Sequence, residues 1–244
     1  MLSMGFRIHP PPTGFRLIDI QQHGGGIEGL AVLGRPNRAS GSGRQGFPLE
    51  THHVLTYDGY ILNCFRIPYG RAGPGTAKRP PVLLIHGISL ASTSWVVNGP
   101  DESLAFFLAD RGYDVWLANT RGNIFSREHV RYSDKQTEFW NFALDEMAEI
   151  DLPVIIHYMK NVTGMPKVGI VGHSQGCTIP LMTLSSQTNL TDSVGVVISL
   201  GPSVFITNMK VGIPIAYSLI VNVSGGTWCG RQSGRASRGQ ASEG

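Results

Sequence analysis

Short apolar runs separated by glycine-rich and polar clusters fill the middle of this chain, and their spacing predicts its elements. Residues 52–57 alternate apolar and polar side chains as a half-buried strand does. Asp58-Gly59 is a hairpin signal, and residues 60–67 read as the return strand. A loop rich in Gly, Pro and Lys occupies residues 68–81. Val82-Leu83-Leu84-Ile85 is apolar at every position, the pattern of a parallel strand covered on both faces, and it ends at His86-Gly87. Residues 101–111 carry a Leu104, Phe107, Leu108 stripe that predicts a helix, with Gly112 as its stop. Residues 113–118 form the next strand, and residues 120–131 a polar loop.

Ser133-x-x-Gln136 is a capping-box pattern that predicts the start of a long helix. Phe139, Ala143, Met147, Ile150 and Val154 recur at three- and four-residue steps and define its apolar face. Pro153 is expected to kink or divide it. Asp145, Glu146, Glu149 and Asp151 read as a solvated acidic face, with no His or Cys at metal-ligand spacing. Residues 168–171 and 194–200 give two further buried strands. After the leading hairpin, strands thus alternate with helices. The pattern predicts an α/β fold with a mostly parallel sheet. Ligands of such sheets bind beyond the strands' carboxyl ends, where Gly87, Asn119 and Ser174 fall.

Outside that body the pattern fades. Residues 1–46 hold Gly/Ser/Arg-rich linker material and are expected to be a flexible extension; residues 47–223 form the domain. Residues 224–244 are dominated by Gly, Ser, Arg and Gln and are expected to be a disordered tail. A net charge of +3 without a basic, aromatic-bearing stripe argues against a nucleic-acid partner. Cys64, Cys177 and Cys229 lack the spacing of a disulfide framework or a zinc site, so neither metal nor cofactor is expected. No apolar stretch is long enough for a transmembrane segment, and no signal peptide is visible at the N-terminus.

The chemistry concentrates at Gly172-His173-Ser174-Gln175-Gly176. An apolar strand leads into it and an apolar segment follows, the strand–turn–helix layout of a nucleophile elbow. Gly-x-Ser-x-Gly alone is a weak signal in a chain with 31 glycines; the flanking elements raise it. Pro180 is expected to fall in the first turn of the helix behind the elbow, where a proline is tolerated. In this arrangement Ser174 is the nucleophile. The backbone N–H groups of Gln175 and Ile88 are the candidate oxyanion-hole donors, the second supplied by the His86-Gly87-Ile88 turn.

The blocks around these residues resemble the acid lipase family, the gastric and lysosomal acid lipases with their plant and fungal relatives. The likeness includes Thr56-x-Asp58-Gly59-Tyr60, Asn119-x-Arg121-Gly122-Asn123, Phe139-Trp140, Asp145-Glu146-Met147-Ala148 and Asp151-Leu152-Pro153, together with the elbow. It implies an α/β-hydrolase fold and a serine ester hydrolase acting on neutral lipids such as triacylglycerols or sterol esters. The implied partners are a neutral lipid ester or a lipid interface. The family's members are secreted or lysosomal, which leaves the compartment of this chain open. The resemblance also implies a cap after the strand at residues 194–200, and an Asp and a His following the nucleophile. Here His173 is the last histidine, and Asp192 and Glu243 are the only acids after Ser174. Of the upstream histidines, His86 belongs to the oxyanion loop, and His129 and His157 are expected to be structural. The chain is therefore expected to be an incomplete hydrolase domain, lacking late strands and cap, with impaired activity. The alternative is a catalytically silent lipid-binding or interaction protein, or a fragment without function.

Overall fold

The computed structural model describes residues 46–203. The expectations for residues 1–45 and 204–244, the tail included, lie outside the described residues. One seven-stranded sheet organises the described part: β1 (Glu50–Leu55), β2 (Tyr60–Ile67), β3 (Pro81–Ile85), β4 (Asp114–Ala118), β5 (Glu128–His129), β6 (Val168–His173) and β7 (Val194–Leu200). The order is β1-β2-β4-β3-β6-β7, with the short β5 paired to β2. β1, β2, β4 and β5 meet in antiparallel pairs, whereas β3 pairs in parallel with β4 and β6, and β6 with β7.

Helices cover both faces. Alternation along β3 sends Leu83 and Ile85 to one face and Val82 and Leu84 to the other, so the strand must be apolar throughout. α1 (Leu104–Asp110) packs Ala105, Phe106 and Ala109 on the second face. α2 (Leu152–Thr163) and α3 (Gln175–Ser186) share the first face, where Leu152, Ile155, Ile156, Met159 and Ile179 meet Trp116, Leu83 and Ile170.

Several predicted elements change on folding. The Ser133–Gln136 contact forms, with the Ser133 N–H donating to Gln136 Oε1 at 2.8 Å, but it leads into a 3-10 turn, Thr137–Trp140. Phe139 there is driven into the core, and the Tyr60 hydroxyl donates to its carbonyl. The helical run starts anew after Ala143, whose N–H is capped by the Glu146 carboxylate at 2.6 Å. A π turn, Met147–Asp151, then precedes α2. That wider turn makes room for Pro153, which has no N–H and whose ring would strike the preceding turn of a regular helix. Pro180 lies inside α3, just past its first turn, so the helix tolerates a missing amide there. β7 departs furthest from expectation: Val196 and Ile198 are about half exposed, at 53% and 48%. It is apolar on both faces like an interior strand, yet among the described residues it is the last strand of the sheet.

The acidic cluster also divides. Asp145 and Glu149 face solvent, but Asp151 is buried, because its partner is the wholly buried Arg121. Arg121 Nε lies 3.1 and 3.0 Å from the two Asp151 carboxylate oxygens, and its second terminal nitrogen 2.5 Å from Oδ1. On its other side Arg121 reaches Asp58 Oδ2 at 2.7 Å, in the β1–β2 turn. The Tyr60 ring lies 4.1 Å from the guanidinium carbon, so the cation is also held against an aromatic face. Burial works against all three charges. Even so, hydrogen bonds from Arg121 and Thr56 hold the Asp58 carboxyl below its ordinary range. Two carboxylates likewise keep the guanidinium more firmly protonated than a free arginine. Burial pushes the Asp151 carboxyl up, against the pull of Arg121. Removing the cation strands Asp151 in the core. Arg121→Leu is expected to cost about 3–5 kcal/mol of stability, measured by urea unfolding; a loss below ~1 kcal/mol would contradict this account.

Candidate active site

Three connections converge at the carboxyl end of the parallel strands: the turn after β3, the loop after β4, and the β6–α3 junction. At the last of these, Ser174 has φ 52° and ψ −117°. A positive φ is uncommon for any residue but glycine and costs about 1–3 kcal/mol, held here by what surrounds it. The Ser174 N–H donates to the Leu200 carbonyl at the end of β7 (3.0 Å), and its own carbonyl accepts the Cys177 N–H at 3.0 Å. The turn is tight enough that only glycine fits on either side. A Cβ on Gly172 would overlap the Gly176 carbonyl, and one on Gly176 would overlap the Ile85 carbonyl of β3. The Gly-x-Ser-x-Gly spacing is therefore set by backbone-to-backbone approach.

Ser174 is half-buried, and Gln175 is the first residue of α3. The amide of a first helical residue has no partner within its helix, so the Gln175 N–H is available at the mouth of the turn. The β3 turn lies directly against the elbow: a Cβ on Gly87 would come 3.2 Å from Ser174 Cβ. Ile88 follows, half-buried, in a turn closed by the Leu90 N–H donating to the Gly87 carbonyl at 3.2 Å. The structure thus brings Ser174, Gln175 and the Gly87–Ile88 segment to one place. Leu90, Ile124 and Leu200, exposed by 42%, 65% and 40%, add apolar surface on the loops and strand end at this edge.

Two of the upstream histidines are engaged by other partners. His86 is buried and bonded to the Gly87 carbonyl through Nδ1 at 2.8 Å. His129 Nε2 donates to the Asp58 carbonyl, while Nδ1 accepts the Arg131 and Tyr132 N–H groups. His157 sits exposed on α2. Among the described residues, the hydrogen-bond neighbour of Ser174 Oγ is Ser203 Oγ at 3.4 Å, and Asp192 is exposed in a 3-10 turn before β7. Cys64 and Cys177 are buried free thiols. Cys177 donates its S–H to the Gly172 carbonyl, and burial pushes the Cys64 thiol up to about 12. Among the described residues no cluster of His, Cys, Asp and Glu could hold a metal ion, and no helix is long and apolar enough to cross a membrane. Patterning placed Asn119 at a strand end and left Arg121 and Asn123 in a polar loop, with no contact assigned to any of them. Their signals were their place after a buried strand and the family block Asn119-x-Arg121-Gly122-Asn123.

This sheet, with a strained serine between a strand and a helix, defines a class that the comparisons share. The family model of the alpha/beta hydrolase fold matches residues 80–221, more than half the chain, and the chain belongs to that family. A second model, the partial alpha/beta-hydrolase lipase region, matches residues 42–99. Lipase member K of Homo sapiens is 48% identical over 160 residues, 65% of this chain and 40% of that protein. Gastric triacylglycerol lipase of Rattus norvegicus is 46% identical over 158 residues, 64% of this chain and 40% of that protein. Lipase member J of Homo sapiens is 43% identical, covering 64% of this chain and 43% of its own length. The chain thus spans about two fifths of the length of these relatives. A Thermoplasma acidophilum hydrolase of solved structure aligns over 67% of each chain at 20% identity and a TM-score of 0.45, too distant to add to the argument.

The packing at the elbow makes a sharp expectation. Gly176→Ala must displace either β3 or α3. It is expected to lose at least about 1–3 kcal/mol of stability, the usual cost of overpacking, read by thermal melting. A variant as stable as the parent would show that the approach of helix to strand is not tight.

Proposed function

We propose that this chain carries the nucleophile and oxyanion-binding part of a serine carboxylic-ester hydrolase of neutral lipids. Ser174 is the nucleophile, and the Ile88 and Gln175 N–H groups receive the oxyanion. The observation that carries this reading is the strained Ser174 at the strand–helix turn, with the Gly87–Ile88 turn packed against it. Strain of this kind persists where the fold holds a side chain in a reacting position. Attack of Ser174 Oγ on an ester carbonyl would generate a tetrahedral oxyanion, for which paired backbone donors are the customary partner. Identities of 43–48% to lipases, and the apolar Leu90, Ile124 and Leu200 around the site, support a fatty-acyl or sterol ester substrate.

A serine hydroxyl needs a base to take its proton. No histidine follows Ser174 in these 244 residues, and the upstream His86 and His129 are engaged in structural contacts. Hydrolysis by these 244 residues is therefore expected to be slow. The oxyanion donors and binding alone are worth about 10³–10⁴ over water in serine hydrolases stripped of their triad.

The second reading, a silent lipid-binding protein, is favoured by the same missing base. Release of nitrophenol from p-nitrophenyl butyrate by the purified chain, alongside Ser174→Ala, separates the two. Slow turnover that disappears in the variant is expected. Equal rates for both proteins would end the enzyme reading, and partition onto triolein emulsion would then test lipid binding.

A further inference from the structure

The turn after β3 is held by more side-chain bonds than its own strand supplies. His86 is 2% exposed, and both its ring nitrogens are bonded. Nδ1 faces the Gly87 carbonyl at 2.8 Å, an acceptor only, so Nδ1 carries a proton. Nε2 receives the Thr120 N–H at 3.3 Å and the Asn123 side-chain amide at 3.0 Å. The Asn123 orientation is settled independently, because its Oδ1 accepts the Phe125 N–H at 2.7 Å. Nε2 therefore faces donors and carries no proton, and the imidazole is neutral in a single tautomer.

The same network reaches the turn twice more. Asn123 Nδ2 donates to the Leu90 carbonyl at 3.2 Å and lies 3.1 Å from Asn119 Oδ1. Asn119, fully buried, accepts the Ser92 N–H at 3.0 Å and donates to the Asn63 carbonyl of β2 at 2.9 Å. Backbone groups at Gly87, Leu90 and Ser92 are thus fixed by side chains from the end of β3 and the loop after β4. Between the first two sit Ile88 and Ser89. Ser89 has φ 56°, the second non-glycine residue of positive φ among the described residues. A non-glycine residue keeps that conformation only where its surroundings over-determine it.

We infer that His86, Asn119 and Asn123 are positioning residues that fix the Ile88 amide beside Ser174, with His86 acting as a neutral imidazole protonated on Nδ1. The inference rests on the ester-hydrolase reading for its purpose, but not for its geometry. His86 gives direction to the Gly87 carbonyl, and the same planar peptide unit carries the Ile88 N–H. Asn123 ties His86 and Leu90 together, and Asn119 anchors Asn123 and Ser92 to β2.

Two measurements on the full 244-residue chain test it. Nitrogen-15 NMR of labelled histidine should give the His86 resonances of a neutral ring protonated on Nδ1. Amide exchange across residues 87–92 should quicken about tenfold in Asn123→Ala and His86→Leu, the effect of losing one net hydrogen bond, and recover in part in His86→Asn, whose amide can still donate to Gly87. The exchange of β6 amides serves as the reference for global stability. Phosphonylation of Ser174 by a p-nitrophenyl alkylphosphonate, followed by intact mass, should lose saturating rate in these variants with little change in half-saturation. A ring protonated on Nε2 or charged at neutral pH overturns the inference. So does unchanged exchange at 87–92 in Asn123→Ala, the milder variant should His86→Leu fail to fold. If the parent chain shows no Ser174-dependent labelling, the hydrolase reading fails, and tautomer and exchange still decide the positioning.

Discussion

One buried guanidinium governs the carboxyl edge of the sheet. Arg121 is held between Asp58 and Asp151, which belong to the β1–β2 turn and to the π turn before α2. A cation without solvent must be fully paired, so these three segments can pack only in the arrangement that pairs it. The loop after β4 is pinned by that requirement at Arg121, two residues from Asn119 and two from Asn123. The side chains that brace the β3 turn are thereby located by an ion pair that does not itself touch the candidate site. The acidic side chains nearby take different parts: Glu146 caps a helix start, while Asp145 and Glu149 remain in solvent.

The second constraint is steric. Gly172 and Gly176 let β6, α3 and the end of β3 approach at backbone distance, and that approach leaves Ser174 in its positive-φ conformation. Hydrogen bonds then secure what sterics permit. The Leu200 carbonyl takes the Ser174 N–H, and the Gly172 carbonyl takes the Cys177 thiol. Cys177 is thus a small interior residue supporting the turn.

The sheet was legible in the sequence because its signals are local. β2 spans the predicted residues 60–67, and β3, β4, β6 and β7 fall within one or two residues of the runs read from patterning. The elbow was legible for the same reason, since its glycines and serine are adjacent. What escaped notice depends on partners far along the chain. Asp151 reads as one more acid on a solvated helix until Arg121, thirty residues earlier, is brought beneath it. The Ser133–Gln136 contact forms as its pattern predicts, yet burial of Phe139 ends that helix before it begins. Asn119 and Asn123 carry no periodic signal, and their importance comes from the contacts they make with the β3 turn and with β2.

The bond from Ser174 to Leu200 has a consequence for biosynthesis. The serine emerges from the ribosome well before the carbonyl that restrains it, and before the β7 strand that presents that carbonyl. Until β7 joins β6, nothing on that side opposes relaxation of the turn. The reactive geometry is therefore complete only once Leu200 has been made and β7 has joined β6, and a nascent chain halted before it lacks one of the bonds that hold Ser174.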